Sequence, residues 1–364
     1  MDWLRLATMG PTWEECKKIA LIPFKNDDEL IGEILKWQDC YNHTRKLTED
    51  YSSKEVSAYI FYFFSTHLGR LKTCLARLPL EIQEDLFKTE FVDVGAGPAT
   101  YTLAWYANII SRNPTQQLQK SYLIEQSMNM RKAADLVLDY YLRDLDCRYY
   151  NNIMSLPEMG GTSTYFFGHS LNEMNVEIVI SEILQKNPTY LFFLEPGTKQ
   201  SFAKMLSMRT LLLASNQYQV IYPCARSEIC PLERQKENWC HQYVDLRFDP
   251  AIEGMCQKMK RDRKRSPLIF HLYKKVSENS KIQSQHEGIH FKNAEDQKGK
   301  IVFSLCKNKN GKNVLEEKMI LKRHLSKAQE KQMAKILAGD IFDTRLLPDL
   351  SPSELELERG PVKK

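Results

Sequence analysis

Three cysteines lie close together in one polar loop of the sequence. Cys224, Cys230 and Cys240 follow a predicted strand with the spacing C-x5-C-x9-C. Thiolates in a loop that has little regular structure to bury them are typical of a metal site. The close CxxC pairs of zinc sites are missing, so the spacing favours an iron–sulfur cluster, with zinc as the alternative. Free cysteines in a reducing compartment, and His241 as a zinc ligand, also remain open.

A second candidate site follows the strand predicted at residues 91–95. The residues Asp93, Gly95 and Gly97 form a D-x-G-x-G turn between this strand and a helix, where backbone can approach a ligand. Glu125 ends the next predicted strand and can accept hydrogen bonds from both ribose hydroxyls. Ala99 stands near the place of the third glycine that a pyrophosphate needs. A ligand without phosphates, S-adenosylmethionine, therefore fits better than NAD; a plain strand–turn–helix motif is the alternative.

The elements that must position these residues change in type near residue 89. Apolar residues at three- and four-residue steps predict helices before this point, and Ser52 and Glu55 form a capping-box pattern. After it, β-prone and helical stretches alternate, which predicts an α/β fold with βαβ units and a mostly parallel sheet. We expect an N-terminal helical region at 1–88 and a core at 89–276 that includes a cysteine loop at 222–241. A linker at 277–300, a C-terminal hairpin with a helix at 301–345 and a loose tail at 346–364 should follow.

Composition narrows the class of protein. The 364 residues are 43% hydrophobic and 27% charged, and no apolar run is long enough for a membrane span. No secretory or transit presequence is visible, so we expect a cytoplasmic monomer without a membrane partner. Residues 201–364 carry a net charge of +11, whereas residues 1–200 carry −6. This asymmetry is typical of a protein that binds a polyanion such as RNA, although a solvated lysine-rich surface would give the same count.

Three motifs carry a family resemblance. The segments LEPGTKQSF…R (194–209), YPCARSEICPL (222–232) and ENWCH (237–241) resemble the methyltransferase-like proteins of the mitochondrial small ribosomal subunit and their bacterial relatives. The resemblance covers about residues 89–345. It implies a Rossmann-like class I methyltransferase core that binds S-adenosylmethionine, a 4Fe–4S cluster, and action on small-subunit rRNA or in assembly of the small ribosomal subunit. A bacterial-type member would be cytoplasmic, and a eukaryotic one would lie in the mitochondrial matrix.

The resemblance also implies a ligand set for the cluster. The first three ligands fall on the loop cysteines, and the fourth falls on Cys306, which precedes Gly311 and the pair Gly339-Asp340 as in the family pattern. Cys256 has no counterpart, and we interpret it as structural. The chain departs from the pattern at three places, where the family has Pro-His after the first cysteine, a Gly before Phe202, and a Phe after His241. All the thiols are kept, so the cluster prediction stands.

No catalytic residue is identified. A Pro-Pro-aromatic loop, common in methyl transfer to a base nitrogen, is absent after the predicted strand 163–171, and no cysteine nucleophile is apparent there. Asn172 and Glu173 are candidates for orienting a substrate, or for capping the next helix. An rRNA methyltransferase and a non-catalytic RNA-binding assembly factor therefore both remain open. Radical chemistry is less favoured, because the cysteine spacing is wide.

Two basic groups are candidates for RNA binding. Six of the eight residues at 258–265 are basic, and three lysines follow Cys306. If Cys306 joins the other thiols, the two groups would form one surface; two unrelated solvated turns are the alternative. The candidate residues are Lys258, Lys260, Arg261, Arg263, Lys264, Arg265, Lys307, Lys309 and Lys312. We expect them to bind small-subunit rRNA or its precursor particle.

Overall fold

The structure is a computed structural model that describes residues 1–42, 50–225, 227–235, 237–276, 287–342 and 357–359. Its α-helices are α1 Trp3–Met9, α2 Trp13–Ile19, α3 Asp27–Asn42, α4 Ser53–Tyr59, α5 Ser65–Leu75, α6 Leu80–Leu86, α7 Thr100–Arg112, α8 Met128–Tyr141, α9 Val176–Lys186, α10 Lys199–Ala214, α11 Pro250–Lys258 and α12 Lys327–Met333. Its strands are β1 Glu90–Val94, β2 Ser121–Ile124, β3 Cys147–Tyr150, β4 Ser163–Gly168, β5 Tyr190–Pro196, β6 Tyr218–Tyr222, β7 Gln242–Asp245, β8 Arg265–Lys275, β9 Gly288–His290, β10 Glu295–Gln297, β11 Lys300–Lys309, β12 Lys312–Leu321, β13 Ile341–Phe342 and β14 Leu357–Arg359.

The chain divides into two compact units. The first comprises Met1–Ser170 and Val244–Ser266, and the second comprises Leu171–Tyr243 and Pro267–Lys364. The predicted boundary near residue 88 does not coincide with this division. No helix in the described parts of the chain is long and apolar enough to cross a membrane.

The first unit contains a four-stranded parallel arrangement in the order β3-β2-β1-β4. Phe91 of β1 pairs in register with Ser121 of β2 and with Thr164 of β4, and all these pairs are parallel. The helices α7 and α8 make the connections between β1, β2 and β3, as βαβ units require. The chain therefore reverses direction of winding between β1 and β4, which places a topological switch point beside the turn after β1.

Helices precede this sheet in the first unit. The predicted capping box is confirmed, because the Ser52 side chain accepts from Glu55 N and the Glu55 side chain accepts from Ser52 N. A π-helical turn, Ile60–Phe64, joins α4 to α5, and all five of its residues are buried. The core beneath β1 is aromatic, with Phe91 stacked 4.5 Å from Trp105 of α7.

The second unit contains β8 between β5 and β6, antiparallel to both. Phe270 of β8 stacks on Phe192 of β5 at 4.7 Å and on Tyr222 of β6 at 4.5 Å, so three strands share one aromatic stack. A separate antiparallel sheet in the same unit has the order β13-β9-β11-β12-β14, with β10 also paired to β11. Its core comprises Ile301, Phe303, Leu305, Ile320, Met333 and Phe342.

The predicted α/β class and Rossmann-like core are confirmed by this arrangement. The predicted linker 277–300 partly lies outside the described residues. Its remainder contains β9 and β10, two short strands that pair with β11. Polar composition concealed them, because short strands added to an existing hairpin gain backbone hydrogen bonds without an apolar pattern of their own. The predicted loose tail lies outside the described residues except for β14.

Candidate functional site

The glycine turn after β1 has the backbone geometry of a ligand-binding turn. Gly95 and Gly97 adopt φ angles of +74° and +54°, in the left-handed region that favours glycine. The N–H groups of Gly95 and Ala96 both donate to the Ile124 carbonyl, which fixes the turn to the end of β2. A Cβ added to Gly97 would meet no protein atom within 4 Å. The space above Gly97 is therefore open to a ligand.

Glu125 lies beside this turn at the end of β2. Its Oε2 accepts a 2.8 Å hydrogen bond from Gly97 N, and its Oε1 accepts one of 2.7 Å from Ser127 N. Burial raises the pKa of this carboxyl, and the backbone donors oppose the shift. A carboxylate has about four acceptor positions, so these two bonds leave capacity for ribose hydroxyls.

Asp93 is placed differently from Glu125. Its side chain is 1% exposed and its Oδ2 accepts from both the N–H and the hydroxyl of Thr102, at 2.9 and 2.8 Å. Burial raises its pKa to about 7. These bonds tie β1 to the first turn of α7, so Asp93 positions the turn that Gly95 and Gly97 form.

The four predicted metal ligands come together in the second unit. Cys224, Cys230, Cys240 and Cys306 all line one enclosed cavity, whose other walls are mostly apolar. Cys224 and Cys230 lie in the loop after β6, Cys240 lies two residues before β7, and Cys306 belongs to β11. Chain segments more than 60 residues apart thus supply thiols to a single small space.

Burial dominates the acid–base behaviour of these thiols. It raises the pKa of Cys230 to about 11, with the neighbouring Cys224 adding to the shift. The pKa values of Cys240 and Cys306 are also raised, first by burial and then by repulsion from the other thiols. Four ionised thiols in this cavity would need a positive partner, since buried charges are paired or coordinate metals.

Arg209 is such a positive group, and the sequence motifs indicate no role for it beyond the last position of the EPGT…R pattern. It is 2% exposed, lines the cysteine cavity, and donates from Nη2 to the Glu228 carbonyl in the cysteine loop. Burial alone would lower its pKa, but the charge on Cys224 and a hydrogen bond to that thiol raise it. The helical spacing of Phe202, Leu206 and Arg209, which all line the cavity, is the signal that would have found it.

Other contacts hold the cysteine loop in place. Trp239 Nε1 donates to the Gly197 carbonyl at 3.0 Å, which joins the WCH and EPG motifs. Gly339 adopts φ +88°, and a Cβ there would lie 2.4 Å from Cγ of Gln242. The Gln242 side chain in turn accepts from Phe270 N at 2.7 Å. The Gly339-Asp340 pair is therefore a point of close approach to the residues just after Cys240.

The lining of this cavity bears on which metal groups it could hold. No three His, Cys, Asp or Glu side chains in the described parts of the chain converge closely enough to hold one metal ion. His241 does not line the cavity; its ring packs against Trp239 and Tyr243. Four thiols are the donor set of iron–sulfur clusters and also of structural zinc sites, so the chemistry of the cavity is compatible with either.

The basic run at 258–265 is partly neutralised within the first unit. Three of its side chains form ion pairs: Lys258 with Asp27 at 2.5 Å, Lys264 with Glu253 at 3.0 Å, and Arg265 with Asp245 at 2.9 Å. Arg263 turns inward, with its guanidinium 4.8 Å from the Tyr62 ring centre. Lys260 and Arg261 remain exposed, beside Cys256 at a groove of about 440 Å³.

The second basic group lies on the β11–β12 turn of the second unit. Lys307 pairs with Glu316, so its charge is compensated. Lys309 and Lys312 are exposed and face each other directly across the hairpin. Like charges in directly opposed strand positions repel, and an anionic partner would relieve that repulsion.

Asn172 and Glu173 lie in a short 3-10 turn, Leu171–Glu173. The Asn172 amide donates to Ser201 Oγ at 2.8 Å and to Glu195 Oε2 at 3.2 Å. Asn175, not Asn172, caps α9. The amide nitrogen of Asn172 therefore braces this turn against α10 instead of offering donors to a substrate.

The strand order, the switch point and the glycine turn with its following acid define a Rossmann-like α/β protein of the class I methyltransferase type. A sequence profile of the family described as mitochondrial small ribosomal subunit Rsm22 matches residues 53–342. The chain belongs to this family, and the expected resemblance is confirmed.

Solved structures of methyltransferases are among those similar to this chain. Magnesium protoporphyrin IX methyltransferase from Synechocystis PCC 6803, with bound SAM, has 13% identity and a TM-score of 0.36 over 67% of this chain and 97% of that one. Precorrin-6y C5,15-methyltransferase from Geobacter metallireducens has 13% identity and a TM-score of 0.33 over 57% and 88%. A comparison with curated proteins found no match.

Proposed function

We propose that this protein binds S-adenosylmethionine and a 4Fe–4S cluster, and that it acts on small-subunit rRNA or in assembly of the small ribosomal subunit. The observation that carries the proposal is the cavity shared by Cys224, Cys230, Cys240 and Cys306 in a chain of this family. Four thiols from two distant segments converge on this one cavity, whereas Cys16, Cys74 and Cys256 are buried elsewhere.

The nucleoside part of the proposal is supported by the turn after β1. Gly95 and Gly97 have left-handed backbone, and the space above Gly97 is open. The Glu125 carboxylate beside them can accept from ribose hydroxyls, as a nucleoside ligand without phosphates would need. The residues proposed to bind the cofactor are Gly95, Gly97 and Glu125, with Asp93 holding the turn.

The four thiols would hold the cluster, which supplies a redox-sensitive cross-link when bound. Cys306 belongs to β11 and the other three belong to the segment 224–240, so the cluster would connect two segments of the second unit. Arg209 would offset part of the negative charge of four thiolates. Zinc on the same thiols is the alternative that metal analysis distinguishes.

An RNA partner is supported by the ribosomal family and by exposed cations in each unit. Four exposed cations have no ion pair with an acid among the described residues: Lys260 and Arg261 in the first unit, and Lys309 and Lys312 in the second. The partner would be the small-subunit rRNA or its precursor particle, in the cytoplasm of a bacterium or in a mitochondrial matrix.

Methyl transfer itself has a specific observation against it. The donors of Asn172, at the position of a base-binding polar loop, are engaged with Glu195 and Ser201. This observation favours the second candidate function, an assembly factor that binds S-adenosylmethionine without transferring its methyl group. Nucleotide mass spectrometry of rRNA from cells with and without the protein separates the two, because only the enzyme leaves a dependent methylated nucleotide.

The test of the cluster is anaerobic purification with iron, sulfide and zinc analysis. The proposal expects about four irons and four sulfides per chain, with brown colour that is lost in Cys230→Ser. Cys147→Ser is the matched control, since Cys147 lies in β3 of the first unit. Stoichiometric zinc without iron would contradict the cluster.

A further inference from the structure

A buried group of cationic and imidazole side chains lies in the first unit, between α5 and the end of β4. Arg70 is 3% exposed, and its Nη1 lies 2.8 Å from Nε2 of His169, the residue that follows β4. His67, one turn earlier on α5, is 7% exposed, and its ring centre is 4.4 Å from that of His169. We call Arg70, His67 and His169 the cationic cluster.

Arg263 adds to the positive potential of the cationic cluster. Its Nε donates to the Tyr62 hydroxyl at 3.1 Å, and its charge acts on all three members. Burial, followed by the Arg263 charge, lowers the pKa of Arg70 to about 10. The groups that oppose this shift are Tyr101, Cys74 and Tyr59, and no carboxylate is among them.

The cationic cluster has hydrogen-bonding capacity that the protein does not use. Nε of Arg70 and Nδ1 of His67 are buried without a hydrogen-bond partner among the described residues. A buried guanidinium without an ion pair to a carboxylate of the described residues is costly, since buried charges are normally paired. An anion between these groups would offset the charge and accept a hydrogen bond from Nε of Arg70.

The location of the cationic cluster identifies the anion. The strands β2, β1 and β4 are adjacent and parallel, so Glu125, the glycine turn and His169 follow one another along the same sheet edge. Ser170 Oγ donates to the Val94 carbonyl at 2.6 Å, which holds the end of β4 against the end of β1. A ligand whose ribose is at Glu125 and which crosses the glycine turn ends at the cationic cluster. In S-adenosylmethionine that end is an amino acid with a carboxylate.

We propose that the cationic cluster is the subsite for the amino-acid carboxylate of the nucleoside ligand, with Arg70 as the donor and His169 as the residue that positions it. The inference rests on the proposed binding of S-adenosylmethionine. His169, which burial keeps neutral, accepts from Arg70 and so fixes the orientation of the guanidinium. The helix α5 thereby contributes to a site that is otherwise built from turns after strands.

The test compares two ligands that share an adenosine and differ in the carboxylate: S-adenosylhomocysteine and methylthioadenosine. Calorimetry with wild type should show tighter binding of S-adenosylhomocysteine. Arg70→Met should lower the affinity for S-adenosylhomocysteine about 10- to 100-fold, the effect of losing a charge-assisted hydrogen bond. The affinity for methylthioadenosine should not change. Lys72→Met, which removes a charge from the same helix at a part-exposed position, is the control and should change neither affinity.

Each other outcome overturns the inference in a distinguishable way. Equal affinity of wild type for the two ligands leaves nucleoside binding intact but removes the carboxylate subsite. No binding of either ligand refutes the proposed function as well. If Arg70→Met leaves both affinities unchanged and weakens binding of an rRNA fragment, the anion is a phosphate. Where Arg70→Met does not fold, Arg70→Lys replaces it, and the inference then requires a smaller loss that is still confined to S-adenosylhomocysteine.

Discussion

The main-chain N–H of Gly97 donates a 2.8 Å hydrogen bond to the carboxylate of Glu125, so the turn after β1 and the end of β2 form one rigid edge. The same carboxylate is the proposed ribose acceptor. Its two roles are compatible because a carboxylate has about four acceptor positions, and the bond from Gly97 uses one of them.

Glu125→Gln should therefore lower the affinity for S-adenosylmethionine about 5- to 100-fold, because the ribose hydroxyls lose a charged hydrogen-bond acceptor. Isothermal titration calorimetry measures the change. Asp139→Asn, an exposed acid on α8, is the control. Gly97→Val should abolish binding, since its side chain would enter the open space that the ligand needs. Full affinity in Gly97→Val would place the ligand elsewhere.

Removal of the cluster should loosen the segment that carries Cys306. Metal binding free energy is also folding free energy, so Cys306→Ser or anaerobic iron chelation should expose β11 and β12 to faster amide exchange. Hydrogen–deuterium exchange by mass spectrometry measures this directly. Cys256→Ser, a buried thiol outside the cysteine cavity, should leave exchange in the hairpin unchanged. Identical amide protection of β11 and β12 with and without iron would show that the cluster does not stabilise this hairpin.

RNA binding should depend on the exposed cations and not on the paired ones. The double variant Lys260→Glu and Arg261→Glu should weaken binding of a small-subunit rRNA fragment. The slope of log affinity against log salt concentration should become shallower by about 0.7 to 0.9 for each lost phosphate contact. Arg265→Gln, whose charge is already paired with Asp245, is the control and should have a smaller effect. Filter binding across a salt series gives both quantities. An unchanged slope in the double variant would remove this surface from the RNA site.

Two glycines of the C-terminal region, Gly311 and Gly339, should respond differently to an added methyl group. Gly311→Ala adds a side chain in open space at φ +83°, so it should cost about 1 kcal/mol of unfolding free energy. Gly339→Ala has a similar φ but overlaps Gln242, so overpacking should add about 1–3 kcal/mol. Urea denaturation of the three proteins measures the difference. Equal losses would show that the contact with Gln242 can relax.

Asp93 should make the protein less stable as pH rises. Its pKa, about 7 in the folded chain, lies above the ordinary value of 3.8, so between these values the folded state holds a proton that the unfolded state has lost. Its contribution to stability is complete below pH 4 and is lost as pH rises to about 7. Unfolding free energies of Asp93→Asn should lack this dependence, with a slope difference of up to about 1.4 kcal/mol per pH unit. Parallel profiles of the two proteins would contradict the assigned protonation.

The sequence predicted the local elements better than the relationships between them. Strands such as β1 and β5 are predicted from their own apolar runs, and the D-x-G-x-G turn is predicted from the glycines that its φ angles require. The inward direction of Arg263 depends on Tyr62, 201 residues away, so it could not be read from a basic run. The same is true of the cationic cluster, since His67 and Arg70 meet His169 only in the folded chain.

The cysteine cavity also has a consequence for the timing of synthesis. Cys306 follows Cys240 by 66 residues, so at about 5–20 residues per second a ribosome needs roughly 3 to 13 s to add the last wall of the cavity after the first three are made. During that interval the loop thiols have no β11 to enclose them. Whatever enters the cavity does so late, and a nascent chain interrupted before β11 would leave three of its four cysteines exposed to oxidation and to quality control.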